Sequence, residues 1–164
     1  MSNSAEIRLA CDAMLGGLAR WLRAAGYDAF WQSGIDDHEL IRLARETGRT
    51  LLSAGTGLFE FAVIRDGVQP ALFVPLRLSP IEQLGFVLRK LGLGLREPRC
   101  MACDGELIEM PREQAKDRVP PRTFSWLEQF WECRRCGRVF WRGTHWQRIA
   151  AELGRAVAAR GQGP

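Results

Sequence analysis

From Met1 to Leu95 the apolar positions switch repeatedly between short runs and helical spacing. Ile7 to Cys11 is a short run that ends on Asp12 and reads as a strand. Leu15, Leu18, Ala19 and Leu22 then recur at helical intervals, with Arg20 and Arg23 on the opposite face. They predict a helix from Met14 to Ala25 that Gly26 stops. Ala29 to Gln32 reads as a second strand. Asp36 or Asp37 caps a second helix, which turns Leu40, Ile41, Leu43 and Ala44 inward and stops at Gly48. Thr50 to Ser53 is a buried strand closed by Gly55 and Gly57, Leu58 to Ile64 a further helix, and Asp66-Gly67 a turn. Ala71 to Leu76 is a fourth strand. Ser79, Pro80 and Glu82 supply the cap, the first-turn proline and the capping-box acid of a helix that runs to Leu91.

Strands alternating with helices predict an α/β class with a mostly parallel sheet flanked by helices. Ligands bind such sheets beyond the carboxyl ends of the strands. Asp12 and the Gly55 segment both fall at such ends, and they share one crevice if their strands are neighbours.

The pattern changes after Leu95. Gly92 to Arg99 holds three turn-prone residues and reads as a linker, so the chain divides into residues 1–95 and residues 96–164. Pro120-Pro121 marks a loop, and Gln147 to Ala159 a terminal helix. The charge divides in the same way. The net +4 lies wholly in the second part, where thirteen basic residues face nine acidic ones; from Cys133 onward seven arginines face Glu152 alone. A basic end on a neutral body suits a polyanion such as nucleic acid. The plainer reading is a solvated face written in arginine. No apolar run reaches the roughly 18 residues of a membrane span. The first apolar stretch is interrupted by charge and does not resemble a signal peptide.

Five cysteines, with two CxxC pairs among them, make a poor disulfide framework and point to reduced, cytoplasmic thiols. Cys100 and Cys103, then Cys133 and Cys136, have the spacing of two zinc knuckles closing one tetrahedral, structural site. A redox dithiol is the rival and needs only one pair. Arg134 and Arg135 sit inside the second knuckle, where they offset thiolate charge. Arg134, Arg135, Arg138 and Arg142 interleave with aromatic residues that include Trp141, a pattern suited to phosphate contact and base stacking. The same rings also serve as the core of a small metal domain. His145 follows a Gly-Thr turn and either orients structure or touches phosphate. Cys11, next to Asp12, reads as a small core residue.

Asp12, Asp36 and Asp37 are the notable acids of the first part. Carboxylates converging at strand ends hold Mg²⁺ or Mn²⁺ and activate water against phosphate; taken singly, each is equally a helix cap or a surface charge. His38 stands beside two of them as a solvated helix-start histidine or a further ligand.

The segment Cys11-Asp12-Ala13-Met14-Leu15-Gly16-Gly17-Leu18-Ala19-Arg20-Trp21-Leu22-Arg23-Ala24-Ala25-Gly26-Tyr27-Asp28 resembles the opening signature of the Mut7-C family. Asp37-His38-Glu39-Leu40, Ser79-Pro80-Ile81-Glu82-Gln83-Leu84, the CxxC pairs and Val139-Phe140-Trp141-Arg142-Gly143-Thr144-His145 resemble its later segments. The resemblance covers nearly the whole chain. It implies a PIN-like ribonuclease domain followed by a C-terminal zinc ribbon. It also implies RNA, whether tRNA or other structured or single-stranded RNA, as partner. Asp12 and Asp37 match the family's first and second catalytic aspartates. The family's Thr-Arg-Asp after the third strand stands here as Ser53-Ala54-Gly55, so Gly55 replaces the third carboxylate. Asp36, Glu39 and Glu60 are the acids near enough in sequence to help. The implied function is a metal-dependent endoribonuclease with an altered site. An RNA-binding protein that does not cut and, more weakly, a protein-interaction module are the alternatives.

Overall fold

The apolar run Arg8–Cys11 forms strand β1, Asp28–Phe30 forms β2, Thr50–Ser53 forms β3 and Ala71–Phe73 forms β4. All pair in parallel, in the order β2-β1-β3-β4. The computed structural model describes residues 6–160, without the side chains of His145, Ala159 and Arg160. β1 and β3 alternate between two faces. Leu9, Cys11 and Leu52 enter one core cluster, Ala10 and Leu51 the other. That alternation requires cover on both sides of the sheet.

Helix α1, Gly16–Ala24, and helix α4, Pro80–Leu91, cover the first face through Leu18, Leu22, Leu84 and Leu88, all fully buried. Burying each such leucine contributes about 1.5–3 kcal/mol. Helix α2, Asp37–Thr47, covers the second face with Leu40, Ile41 and Ala44. Its Gly48 cap is left-handed at φ 64°, as the stop signal requires. In the capping box of α4, Ser79 N donates to Glu82 Oε2 at 2.8 Å and Glu82 N donates to Ser79 Oγ at 3.4 Å.

Several sequence expectations are corrected. The Leu58 to Ile64 helix is broken: a 3₁₀ turn, Thr56–Glu60, precedes the short helix α3, Ala62–Arg65, and Phe61 between them is extended at ψ 130°. The fourth strand stops at Phe73 instead of Leu76. Arg23, expected on the solvent face of α1, is 6% exposed. Its Nε donates to Ala29 O at 3.0 Å, and its Nη1 donates to Met101 O at 3.1 Å and Ala102 O at 3.3 Å. Three carbonyls replace the water that a buried guanidinium would otherwise lose.

Past the linker, β5 (Leu107–Met110) pairs antiparallel with β6 (Phe130–Cys133), which pairs antiparallel with β7 (Val139–Phe140). Two short helices, α5 (Arg112–Ala115) and α6 (Pro121–Trp126), fill the connection between β5 and β6. The diproline thus opens a helix where a loop was expected, because Pro121 occupies a first-turn position with no amide hydrogen to lose. Phe130, Met110, Ala115 and Val119 make a small separate core. Helix α7, Thr144–Arg160, lies against α4, and its Ile149, Leu153 and Ala156 join the core of the parallel sheet. The helix that follows the ribbon in sequence therefore packs on the α/β layers.

Candidate functional site: an acidic rim and a cysteine centre joined by one helix

β1 and β3 are neighbours, so the two strand ends singled out in the sequence share one edge. Asp12 continues the β1 ladder, its N–H donating to Leu52 O at 3.0 Å. By strand parity Asp12 and Ser53 both fall on the face of Ala10 and Leu51, which α2 covers. Asp12 Oδ2 accepts from Ser53 Oγ at 2.5 Å and from Ala54 N at 3.0 Å, and Oδ1 accepts from Met14 N at 2.9 Å. The carboxylate is 7% exposed and fixed from both sides. It caps the 3₁₀ turn Ala13–Leu15 that leads into α1. An ionised carboxylate offers about four lone-pair sites. Three are used, and one on Oδ1 is left.

β2 ends at this same edge, and the chain from Trp31 to Asp36 leads from it into α2. Asp36 Oδ1 caps α2 by accepting from Glu39 N at 2.9 Å. Asp37, Glu39 and Glu60 are exposed. Among the described residues no three acidic side chains form a cluster comparable to the cysteine group. His38 sets its ring edge-on to Phe61, with centroids 4.9 Å apart. Trp31 crosses the edge, its Nε1 donating to Ala13 O at 3.1 Å. It also explains Gly16, whose added Cβ would stand 2.9 Å from the indole. At Gly55 the backbone is ordinary, φ −93° and ψ 128°, and an added Cβ would meet only Ser53 Oγ, at 3.6 Å.

The four cysteines Cys100, Cys103, Cys133 and Cys136 bring their sulfurs within 4.8 Å of one another. Cys100 Sγ and Cys136 Sγ are 3.8 Å apart, and Cys103 Sγ and Cys133 Sγ 3.4 Å. A tetrahedral ion with bonds of about 2.3 Å needs sulfur edges of about 3.8 Å. The donor set thus suits a metal such as zinc. Each knuckle turns through a left-handed residue, Asp104 at φ 71° and Gly137 at φ 73°. Gly105 passes so close that a Cβ there would lie 2.5 Å from Cys133 Sγ. Arg135 Nη1 donates to Cys103 O at 2.8 Å, while Arg134 pairs with Glu106 at 3.7 Å on the surface. Burial pushes the Cys100 thiol up to about 12. Burial also opposes charge on Cys133, but the amides of Cys136 and Arg135 together with the Cys103 and Cys136 side chains outweigh it and bring the thiol down to about 7. Cys11 is fully buried and is not one of this group.

The first knuckle docks on the α/β layers through charge. Arg99 Nε donates to Asp104 Oδ1 at 3.1 Å, and Arg23 Nε stands 3.8 Å from the same oxygen. Burial and the facing Asp28 push Asp104 up to about 6. Arg49 and Arg8 hold Asp28 at 2.6 and 3.3 Å. Sequence reasoning missed Arg23 and Ser53. Neither breaks the periodicity of its element, so no pattern flags it. The nine residues of α1 begin beside Asp12 and end beside the knuckle, so about 14 Å of helix lies between the rim and the cysteines.

A parallel sheet with an acidic carboxyl edge, carrying a basic four-cysteine ribbon, defines the class of protein. The sequence pattern of the Mut7-C RNAse domain matches residues 7–153, and the chain belongs to that family. It is also similar to the exonuclease mut-7 homolog of Homo sapiens, 30% identical over 115 residues; the match spans 66% of this chain and 13% of the human protein. No described helix is long and apolar enough to cross a membrane.

Proposed function

We propose that the chain is a PIN-like RNA-processing hydrolase, a metal-dependent endoribonuclease with an altered acidic rim. The observation that supports this most is the Asp12 carboxylate, held rigid where two adjacent parallel strands end. Mg²⁺ and Mn²⁺ use one or two carboxylates and complete their shell with water and substrate phosphate. The free site on Asp12, with Asp37 at the start of α2, would supply that donor set without a third acid. Asp37 has no hydrogen-bond partner among the described residues, whereas Asp36 is spent on its cap. Glu39 and Glu60 are the remaining helpers. Such an ion, when bound, acidifies water and offsets charge on the phosphate under attack. The chain's own part is positional. Ser53 and the amides of Met14 and Ala54 hold the Asp12 carboxylate immobile.

The ribbon supplies grip in this reading. Arg134, Arg138 and Arg142 and the Trp141 ring face RNA, and Arg135 secures the knuckle as well. His145 is the remaining candidate contact; its side chain lies outside the described residues. A four-thiolate zinc site is closed, and here it stands a helix length from the rim, so its role is structural.

A circular single-stranded RNA with Mn²⁺ tests the reading. Opened circles establish internal cleavage, and Asp12→Asn should abolish it. Equal cleavage by that variant would assign the activity to a contaminant. Digestion of linear RNA alone would make the enzyme an exonuclease. A second reading, RNA binding without cleavage, is favoured by Gly55, which offers no carboxylate. Intact circles together with firm RNA binding would establish it.

A further inference from the structure

A cavity of about 410 Å³ opens between the ribbon, α7 and the flank of α1. This is the size of a small-ligand site and too narrow for a duplex. Trp131, Trp141 and Trp146 line it, with Phe140 beside them. Arg142 lies over the Trp131 ring at 4.8 Å and reaches Glu97 at 3.4 Å across the mouth. Arg20 and Arg138 also line the cavity, and neither pairs with a carboxylate among the described residues. Arg99 is held by Asp104 and is not available. With Arg99 spent on Asp104, three arginines, Arg20, Arg138 and Arg142, face one carboxylate, Glu97, around a wall of flat rings.

We infer that this cavity is a binding site for one unpaired RNA nucleotide, its base stacked on the tryptophan wall and its phosphate held by Arg20 and Arg138. The inference deepens the RNA-processing reading and rests on it. Rings accept any base by its face, and guanidinium groups grip phosphate with paired hydrogen bonds. An apolar ligand would leave the two arginines without a partner. A duplex hides its base faces and cannot enter. Arg20 stands four residues, about 6 Å of rise, past Gly16, so a strand leaving the cavity along α1 runs toward Asp12. The cavity would thus anchor a single strand upstream or downstream of the rim. Glu97 competes with phosphate for Arg142 and acts as a weak gate.

The test uses the zinc-loaded chain with adenosine monophosphate, a ten-nucleotide single-stranded RNA and a duplex of the same sequence. Adenosine monophosphate should shift the indole N–H signals of Trp131, Trp141 and Trp146 and leave that of exposed Trp126 in place. Arg20→Gln and Arg138→Gln should each weaken the single strand about five- to tenfold. Each should also reduce the logarithmic salt slope by about 0.7, the loss of one phosphate contact. Glu97→Gln should tighten it about twofold. Wild-type binding of the single strand that neither arginine variant changes would overturn the cavity while leaving the RNA reading intact. Absence of any RNA or nucleotide binding by the wild type would overturn both. Indole shifts produced by an acidic peptide and not by the nucleotide would make the cavity a protein-docking site.

Discussion

Ser53 donates its hydroxyl to Asp12 Oδ2 across 2.5 Å and so joins the ends of the two central strands. With the Ala54 and Met14 amides it leaves Asp12 one free lone-pair direction. The rim therefore has a definite orientation before any ligand arrives.

Asp12 serves structure as well as chemistry, and its two roles separate by substitution. Asp12→Asn retains the shape and loses the charge; it should cost about 1–2 kcal/mol of stability and at least a hundredfold in cleavage. Asp12→Ala removes the cap entirely and should cost about 1–3 kcal/mol. Urea unfolding beside RNA cleavage assays separates the two. An asparagine variant that cuts at the wild-type rate would trace the cleavage to a contaminant.

Gly55→Asp should be accepted without strain, because the backbone there suits any residue and a Cβ meets only ordinary contact. The new carboxylate adds a charge to a rim that lacks it, so Mn²⁺ affinity should rise about tenfold and cleavage with it. Isothermal titration with Mn²⁺ reads this directly. Unchanged affinity would show that position 55 does not face the ion.

The cysteine centre should carry about one zinc per chain and lose it to strong chelators. Because Arg23 holds the carbonyls of Met101 and Ala102, the metal and the α/β layers should be coupled. Arg23→Met should cost about 2–4 kcal/mol and speed zinc release, as followed with a colorimetric chelator. A variant with unaltered release kinetics would show that the dock does not steady the knuckle.

Asp28 sets an acid limit on stability. Burial opposes its charge, but hydrogen bonds from Asp104, Arg49 and Arg8 prevail and hold it well below the usual carboxylate range. A lowered folded pKa means stability fully present above about pH 4 and lost as the pH falls below it. The contribution, reduced for partial exposure, is on the order of 1–2 kcal/mol. Urea midpoints at pH 7 and pH 3 should converge for Asp28→Asn relative to wild type. Equal acid slopes would refute the assignment.

If the basic ribbon holds RNA through phosphates, affinity should fall steeply between 50 and 200 mM salt, by roughly tenfold or more for a few contacts. Fluorescence anisotropy of a labelled single strand measures it. A flat response would favour a protein partner for the ribbon.

The alternation of apolar runs and helical stretches, a cap at Asp36 or Asp37, the cap at Ser79 and the stop at Gly48 were legible because each is a local signal of few residues. The cysteine spacing was legible for the same reason: two short knuckles and one ion's geometry determine it. Local signals could not tell that β1 lies beside β3, that Ser53 would bind Asp12, or that Arg23 would be buried under the knuckle. They also missed the break at Phe61, the short helices between β5 and β6, and the return of α7 to α4. Each of these depends on a partner twenty or more residues away or on a packing choice among several apolar faces. The sequence by itself determined most elements of residues 1–95, the four-cysteine set and the family. The order of strands, the orientation of the Asp12 carboxylate and the aromatic cavity beside α1 were decided only by the tertiary structure, because burial and long-range hydrogen bonds choose among arrangements that short-range pattern leaves equal.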